Sequence, residues 1–323
     1  MCVRLLSSWL LVSILSLATL LAGGVDAPLA DAVQRMDRVT IRGLLQESID
    51  VNASQVDGMT ALHWAAYHDD LDILERLVRA GADVEVANRY GVTPLSLACT
   101  NANADMVELL LGAGADPNVS LPGGETVLMT AARTGRVGAV KALLANGADV
   151  HSAENRRGQT ALMWAAAEGH VEVVEELIRS GADFRAPLDS GFTPLLFAVR
   201  EGRIGVVRVL LKAGVDVNET VQLNVAKRQS FPGRRPVRAG ASALLVAATN
   251  AHFDLGVELL EAGADPNTDR TGYTVLHAMP RVRNSGAGDN DPVPEGSGRM
   301  TSLEFVRKLV AYGADLNARM TEQ

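Results

Sequence analysis

The stretch GQTALMWAAAEGHVEVVEELIRSGAD, residues 158–183, holds two short helices and the signals that start and stop them. Thr160 stands just before an apolar run, where its hydroxyl can accept from backbone N–H groups that no earlier turn satisfies. Ala165 and Ala166 leave only methyl groups on the first helix, so another helix can approach closely. Val171, Val174, Leu177 and Ile178 recur at the 3.6-residue period of a second, amphipathic helix. Gly181 ends that helix, because a left-handed residue there carries no Cβ penalty.

Outward from this stretch the chain repeats itself. GMTALHWAA begins at Gly58, GVTPLSLAC at Gly91, GETVLMTAA at Gly124, GFTPLLFAV at Gly191, GASALLVAA at Gly240 and GYTVLHAMP at Gly272. With Gly158 included, the intervals are 33, 33, 34, 33, 49 and 32 residues. Gly-Ala-Asp keeps step at Gly81, Gly114, Gly147, Gly181, Gly263 and Gly313, with Gly-Val-Asp at Gly214. Thr60, Thr93, Thr126, Thr160, Thr193, Thr274 and Ser242 all hold the capping place, and Pro94 and Pro194 the first helical position, where a missing N–H costs nothing. The Asp-Val-Asn or Asp-Pro-Asn after the second helix predicts a hairpin.

This phrase at this period resembles the ankyrin repeat. The resemblance covers the chain after its first 24 residues and implies an all-α repeat solenoid, each unit a helix-turn-helix with a hairpin loop. Residues 28–52 keep Pro-Leu-Ala at the start and Asp-Val-Asn at the end but are one residue short. They read as a divergent N-terminal cap, making about eight units.

Residues 1–24 carry Arg4, an uncharged apolar run from Leu5 to Leu21, then Ala22, Gly23 and Gly24, the pattern of a cleaved signal peptide. The alternative is a membrane anchor, since 17 apolar residues approach the lower limit for a span. Either reading puts residues 25–323 in an extracytoplasmic space, periplasmic or secreted, and the Ala-, Arg- and Gly-rich composition is of a bacterial kind.

Two insertions interrupt the period, near 219–239 and near 280–301. The first carries Lys227, Arg228, Arg234, Arg235 and Arg238, the most basic stretch of the chain, and reads as a hairpin extension or as a finger toward an acidic partner. In the second, Asp289, Asn290 and Asp291 lack the ligand spacing of a calcium loop. The last helix shows Leu303, Phe305, Val306, Leu309, Val310 and Tyr312 with no polar unit after it, so the chain continues or this end docks on something.

No catalytic constellation emerges, and neither cofactor nor metal is expected. His63, His277 and His170 sit at repeat positions where a ring supports a neighbouring unit, without metal-ligand spacing. Trp64 and Trp164 are expected in the core. The sequon residues Asn52, Asn118 and Asn218 all occupy the hairpin Asn. A formal net charge of −8 argues against general affinity for nucleic acid or anionic membrane.

The resemblance implies a concave groove lined by hairpin tips and by the ends of the inner helices. By repeat phase the tips are Met59, Arg89, Tyr90, Arg156, Arg157, Phe192 and Tyr273, and the helix ends Tyr67, His68, Arg133 and Arg200. Tyr and Arg are enriched in binding hot spots. The expectation is a monomeric, non-enzymatic module that binds a protein through this groove. The alternative is the targeting portion of a larger secreted enzyme or electron-transfer protein whose catalytic domain lies beyond residue 323.

Overall fold

One helix pair cannot bury its own apolar side, so the units must stack. The computed structural model describes residues 26–47, 49–222, 240–267, 273–283 and 299–319. Among them, sixteen helices form eight pairs, joined by hairpins whose pairing is limited to isolated bridges. The inner helices are α1 (Pro28–Gln34), α3 (Ala61–Tyr67), α5 (Pro94–Asn101), α7 (Val127–Thr134), α9 (Ala161–Glu168), α11 (Pro194–Arg200), α13 (Ala243–Thr249) and α15 (Val275–Arg283). The outer helices are α2 (Arg38–Leu44), α4 (Leu71–Arg79), α6 (Ala104–Gly112), α8 (Val137–Ala145), α10 (Val171–Arg179), α12 (Ile204–Lys212), α14 (Phe253–Glu261) and α16 (Ser302–Ala311). Each inner helix packs on its inner neighbours and on its own outer helix, giving one continuous core. The all-α repeat solenoid is the architecture observed, and residues 28–52 form its first unit.

Alanines set the spacing: Ala65, Ala66, Ala131, Ala132, Ala165 and Ala166 are wholly buried between inner helices. Thr60, Thr93, Thr126, Thr193 and Ser242 each accept from the backbone N–H three residues on, as their position predicts. Thr160 departs from the expectation, for its hydroxyl is buried without a partner. The hairpin before it is one residue longer, and Glu154 commits both carboxylate oxygens to the N–H groups of Arg156, Arg157 and Gln159. Trp164 Nε1 therefore lacks the acceptor that Gln55 offers to Trp64 at 2.9 Å.

Polar rungs join the hairpins. Asn52 Nδ2 donates to Gly81 O at 3.4 Å, and Asn52 Oδ1 accepts from Asp83 N at 2.8 Å. Asn118 clamps Gly147 and Asp149 in the same way, Asn218 clamps Gly263 and Asp265, and Asn267 clamps Gly313 and Asp315. All three sequon asparagines are thus structural rungs.

A second set of rungs runs beside the turns between inner and outer helices. The turn residue is left-handed in successive units: Met36, Asp69, Ala102, Gly135, Gly169, Gly202 and Ala251. His170 Nε2 donates to Arg133 O at 2.9 Å, with its ring 2.4 Å from where a Cβ on Gly135 would stand. His252 does the same for Arg200 O, over Gly202, at 2.9 Å.

Both insertions are shorter than the sequence suggests. Glu219 to Gln222 belong to a regular hairpin: Val221 N donates to Ala241 O at 2.9 Å, and Gly240 N to Val221 O at 2.8 Å. Leu188 closes its hairpin with Phe192 and Gly191 through the same two bonds. At the second insertion α15 continues through Arg283, and Thr301 with Glu304 forms a capping box for α16. The leader, residues 223–239, and residues 284–298 with Asp289, Asn290 and Asp291 lie outside the described residues.

Glu219 takes a seat that Val86 and Val119 fill in other units, and its carboxylate accepts from the Thr193 hydroxyl. Burial pushes its carboxyl up to about 7 against that hydrogen bond, and Asp216 adds to the rise.

Four outcomes follow from these local structures. Ala102→Gly and Ala251→Gly should each add about 0.5–1 kcal/mol in denaturant melts, since a left-handed alanine costs roughly 1–2 kcal/mol and glycine's larger unfolded-state freedom returns part of the gain. Gly135→Ala should lose more than about 2 kcal/mol through strain and a broken His170 bond, and a gain there would refute the packing described. Deleting 223–238 leaves Gln222 and Ala239 as a two-residue tip, so the change in the cooperative melt should stay within about 1 kcal/mol. Native Glu219 holds its proton more tightly than the unfolded chain, whose ordinary value is 4.5. Its contribution is therefore fully present below pH 4.5 and is lost as pH rises toward 7. Glu219→Gln should remove that decline and raise stability at pH 8 by about 1–2 kcal/mol; identical pH profiles would contradict this.

Candidate partner-binding face

Hairpin tips and inner-helix ends meet on one side of the stack, and the second unit shows how. Gln55, at the tip, accepts from Trp64 of α3 and donates to Asp31 (2.6 Å) and Gln34 (2.8 Å) of α1. At the other end of α3, His68 Nε2 donates to Gln34 O at 3.1 Å. Trp64, Tyr67 and His68 form one ring cluster: Trp64 lies edge-on to Tyr67 at 5.5 Å and stacks on His68 at 5.9 Å. Trp64 is half-buried rather than core, and so is Trp164.

The structure divides the residues expected to line the groove. Tyr67 and Tyr90 are 57% and 58% exposed, and Arg89, Arg133, Arg156 and Arg157 are also open to solvent, with His68 and Arg200 half-buried. Met59, Phe192 and Tyr273 are not on the surface: they are 8%, 6% and 8% exposed. Each stands between the tip glycine and the helix cap, on the closing arm of the hairpin. Met59 and Phe192 lend their carbonyls to the tip's N–H, which turns their side chains inward. Met59 Sδ lies 3.4 Å from Asn88 Nδ2, Phe192 packs on Phe197 at 5.4 Å, and Tyr273 stacks on His277 at 5.9 Å. A residue not singled out in the sequence, Val56, is exposed at the second unit's tip instead. Its place between Gln55 and the tip glycine was the available signal.

Arginine guanidinium groups lie over rings along this face. Arg133 covers Trp164 at 5.6 Å, Arg200 covers Phe197 at 4.9 Å and Phe192 at 5.2 Å, and Arg89 covers Tyr90 at 4.9 Å. Arg200 also donates to Glu201 at 2.8 Å, and Arg133 lies 3.9 Å from Glu125.

The remaining chemistry is structural. His63 Nδ1 accepts from Thr60 N at 3.2 Å while Nε2 donates to Val92 O at 2.9 Å, holding the next hairpin as its repeat position implies. Burial keeps it below its ordinary value and hence neutral. Cys99 is enclosed, and burial pushes its thiol up to about 12. Among the described residues no three His, Cys, Asp or Glu side chains converge as metal ligands would, and no helix is long and apolar enough to cross a membrane.

Comparison with known proteins agrees with this geometry. No curated protein matches the chain. A family model described as ankyrin repeats matches three overlapping stretches, 29–121, 87–154 and 128–221, together more than half of the 323 residues. Such domains generally mediate protein–protein interaction and are typically non-catalytic. With tips, helix ends and polar rungs repeating unit after unit, the chain belongs to the ankyrin-repeat proteins.

Proposed function

We propose that this chain is a non-enzymatic binding module that grips a partner protein on the face formed by its hairpin tips and inner-helix ends. The observation that carries the reading is the exposure of Tyr67, Tyr90, Arg156 and Arg157 on elements whose backbones are held by neighbouring units. Arg89 N donates to Asp57 O at 3.0 Å and Asn155 N to Gly123 O at 2.9 Å, so these two tips rest on the ones before them. Side chains presented this way are ordered on folding, and little ordering cost remains for binding. The arrangement of residues 1–24 supports export, and we place the repeats in an extracytoplasmic compartment, with the leader as signal peptide or anchor.

The test is a crosslinked capture from periplasmic or secreted extract, identification by mass spectrometry, and titration of the purified partner. Replacing Tyr67, Tyr90, Arg156 and Arg157 together by Ala should leave the helical circular dichroism intact and weaken binding by roughly tenfold or more. Unchanged affinity would sink the assignment of this face.

A further inference from the structure

The charge of this protein is not spread along the solenoid. Of its 38 acidic residues fourteen lie between positions 26 and 110, against only six of its 30 basic ones. That leaves 24 of each sign elsewhere, so the entire net charge of −8 belongs to the first three units. The large exposed hydrophobic side chains are unevenly placed as well. Among the described residues they are confined to these units (Met36, Val39, Val56, Tyr67 and Tyr90) and to the C-terminal end (Leu303, Val310, Tyr312 and Leu316). None falls among the described residues from 111 to 267.

On the tip-and-helix-end side the two features coincide. The ring cluster of Trp64, Tyr67 and His68 forms the floor, and Tyr90 stands at the next tip. Asp31 is joined to this cluster through Gln55, Asp57 sits at the same tip as Val56, and Asp69 follows His68 with its carboxylate accepting from Asn103 at 2.7 Å. Arg35 and Arg89 are the bases nearby, and Arg89 already lies over Tyr90. An exposed ring face carries negative charge density that attracts a cation, and surrounding carboxylates deepen that attraction. Arg133 and Arg200 likewise lie over Trp164 and Phe197 in later units, but outside positions 26–110 the acidic residues do not exceed the basic ones.

We propose that the partner docks on units one to three and presents a Lys/Arg-rich segment to the rings of Tyr67 and Tyr90. This rests on the tip-and-helix-end reading above and names the chemistry of what that face receives. The acidic partner suggested by the basic stretch at 223–239 would be a different ligand on a different part of the chain.

The experiment is fluorescence anisotropy of the full chain with a labelled peptide alternating Arg, Ala, Lys and Ala, beside its counterpart with Glu in place of both cations. The cationic peptide should bind saturably and weaken as salt rises, while the Glu peptide should not bind. Tyr67→Ala with Tyr90→Ala should weaken the cationic peptide by about tenfold or more. Asp105→Asn with Glu108→Gln on α6 removes two negative charges away from the rings, and should leave most of the affinity. If those outer-helix changes weaken binding as much as the tyrosine changes do, the attraction is diffuse and the proposal fails. Preference for the Glu peptide overturns it as well. Separating the two readings requires the natural partner. Loss confined to Arg156→Ala with Arg157→Ala would keep the face and remove the cationic segment, whereas indifference to both pairs would remove both.

Discussion

The seam between consecutive units is the interaction on which everything else depends. A single helix pair cannot bury its own apolar surface, and the alanine pairs on the inner helices are useful only when another unit arrives to cover them. Apolar contact alone would let units slide, and the hairpin rungs prevent it. Asn is suited to that place because its amide is both donor and acceptor. Asn52 satisfies a carbonyl at Gly81 and an N–H at Asp83 with one side chain. Arg185, standing where other units have Asn, reaches Gly214 O at 3.0 Å but has no acceptor to return. Such a seam keeps half of the rung, so the strength of the stack varies along its length.

Structural duty is concentrated at these seams, and that frees other positions. Once the tips rest on one another through their backbones, the side chains at Arg89, Tyr90, Arg156 and Arg157 hold nothing together. They are available for recognition without weakening the stack. The same logic explains why an insertion is tolerated at the tip after Gln222: the two hydrogen bonds that close the hairpin lie below it.

What could be read in the sequence follows that division. Thr60, Gly81 and Asn52 each have one local role, fixed by backbone chemistry, and their positions predicted caps, helix ends and hairpins, though not the rungs that Asn52 and its equivalents make between hairpins. Met59, Phe192 and Tyr273 could not be placed from phase alone. The direction of a side chain beside a tip glycine depends on how the hairpin closes, which is set by an N–H four residues earlier, that of Gln55 for Met59 and of Leu188 for Phe192. Trp64 offered a similar ambiguity, since a half-buried ring packs on the core with one edge and shows the other to the groove. Thr160 does not act as the cap its position predicts, and its hydroxyl is left buried without a partner. By sequence Glu219 falls in the first insertion, and only its neighbours in the hairpin make it a half-buried acid.

The charge asymmetry needs a physical origin, and the turn chemistry supplies part of it. In the first three units the residue before the outer helix is Asp37, Asp70 or Asn103, each capping that helix with its side chain. In later units Arg136, His170, Arg203 and His252 stand there, and three of them face backward. His170, Arg203 and His252 donate to carbonyls at the end of the preceding inner helix, Arg133 O, Ala167 O and Arg200 O. An anion suits the start of a helix and a cation the end of one, so both solutions agree with the helix dipole while differing in sign. Yet this exchange accounts for only two of the fourteen acids, and the turn Asp recurs in every unit. Ion pairs with Arg38, Arg76 and Arg79 engage Asp70, Asp72 and Glu75. Around Tyr67 and Tyr90, Asp69 also accepts from Asn103 of the next unit, Asp31 from Gln55 and Asp57 from Met59 N, but none of these bonds needs a net negative charge. A stack gains nothing from collecting like charges at one end, since their repulsion opposes folding. Their placement therefore points outward, to what the first three units receive.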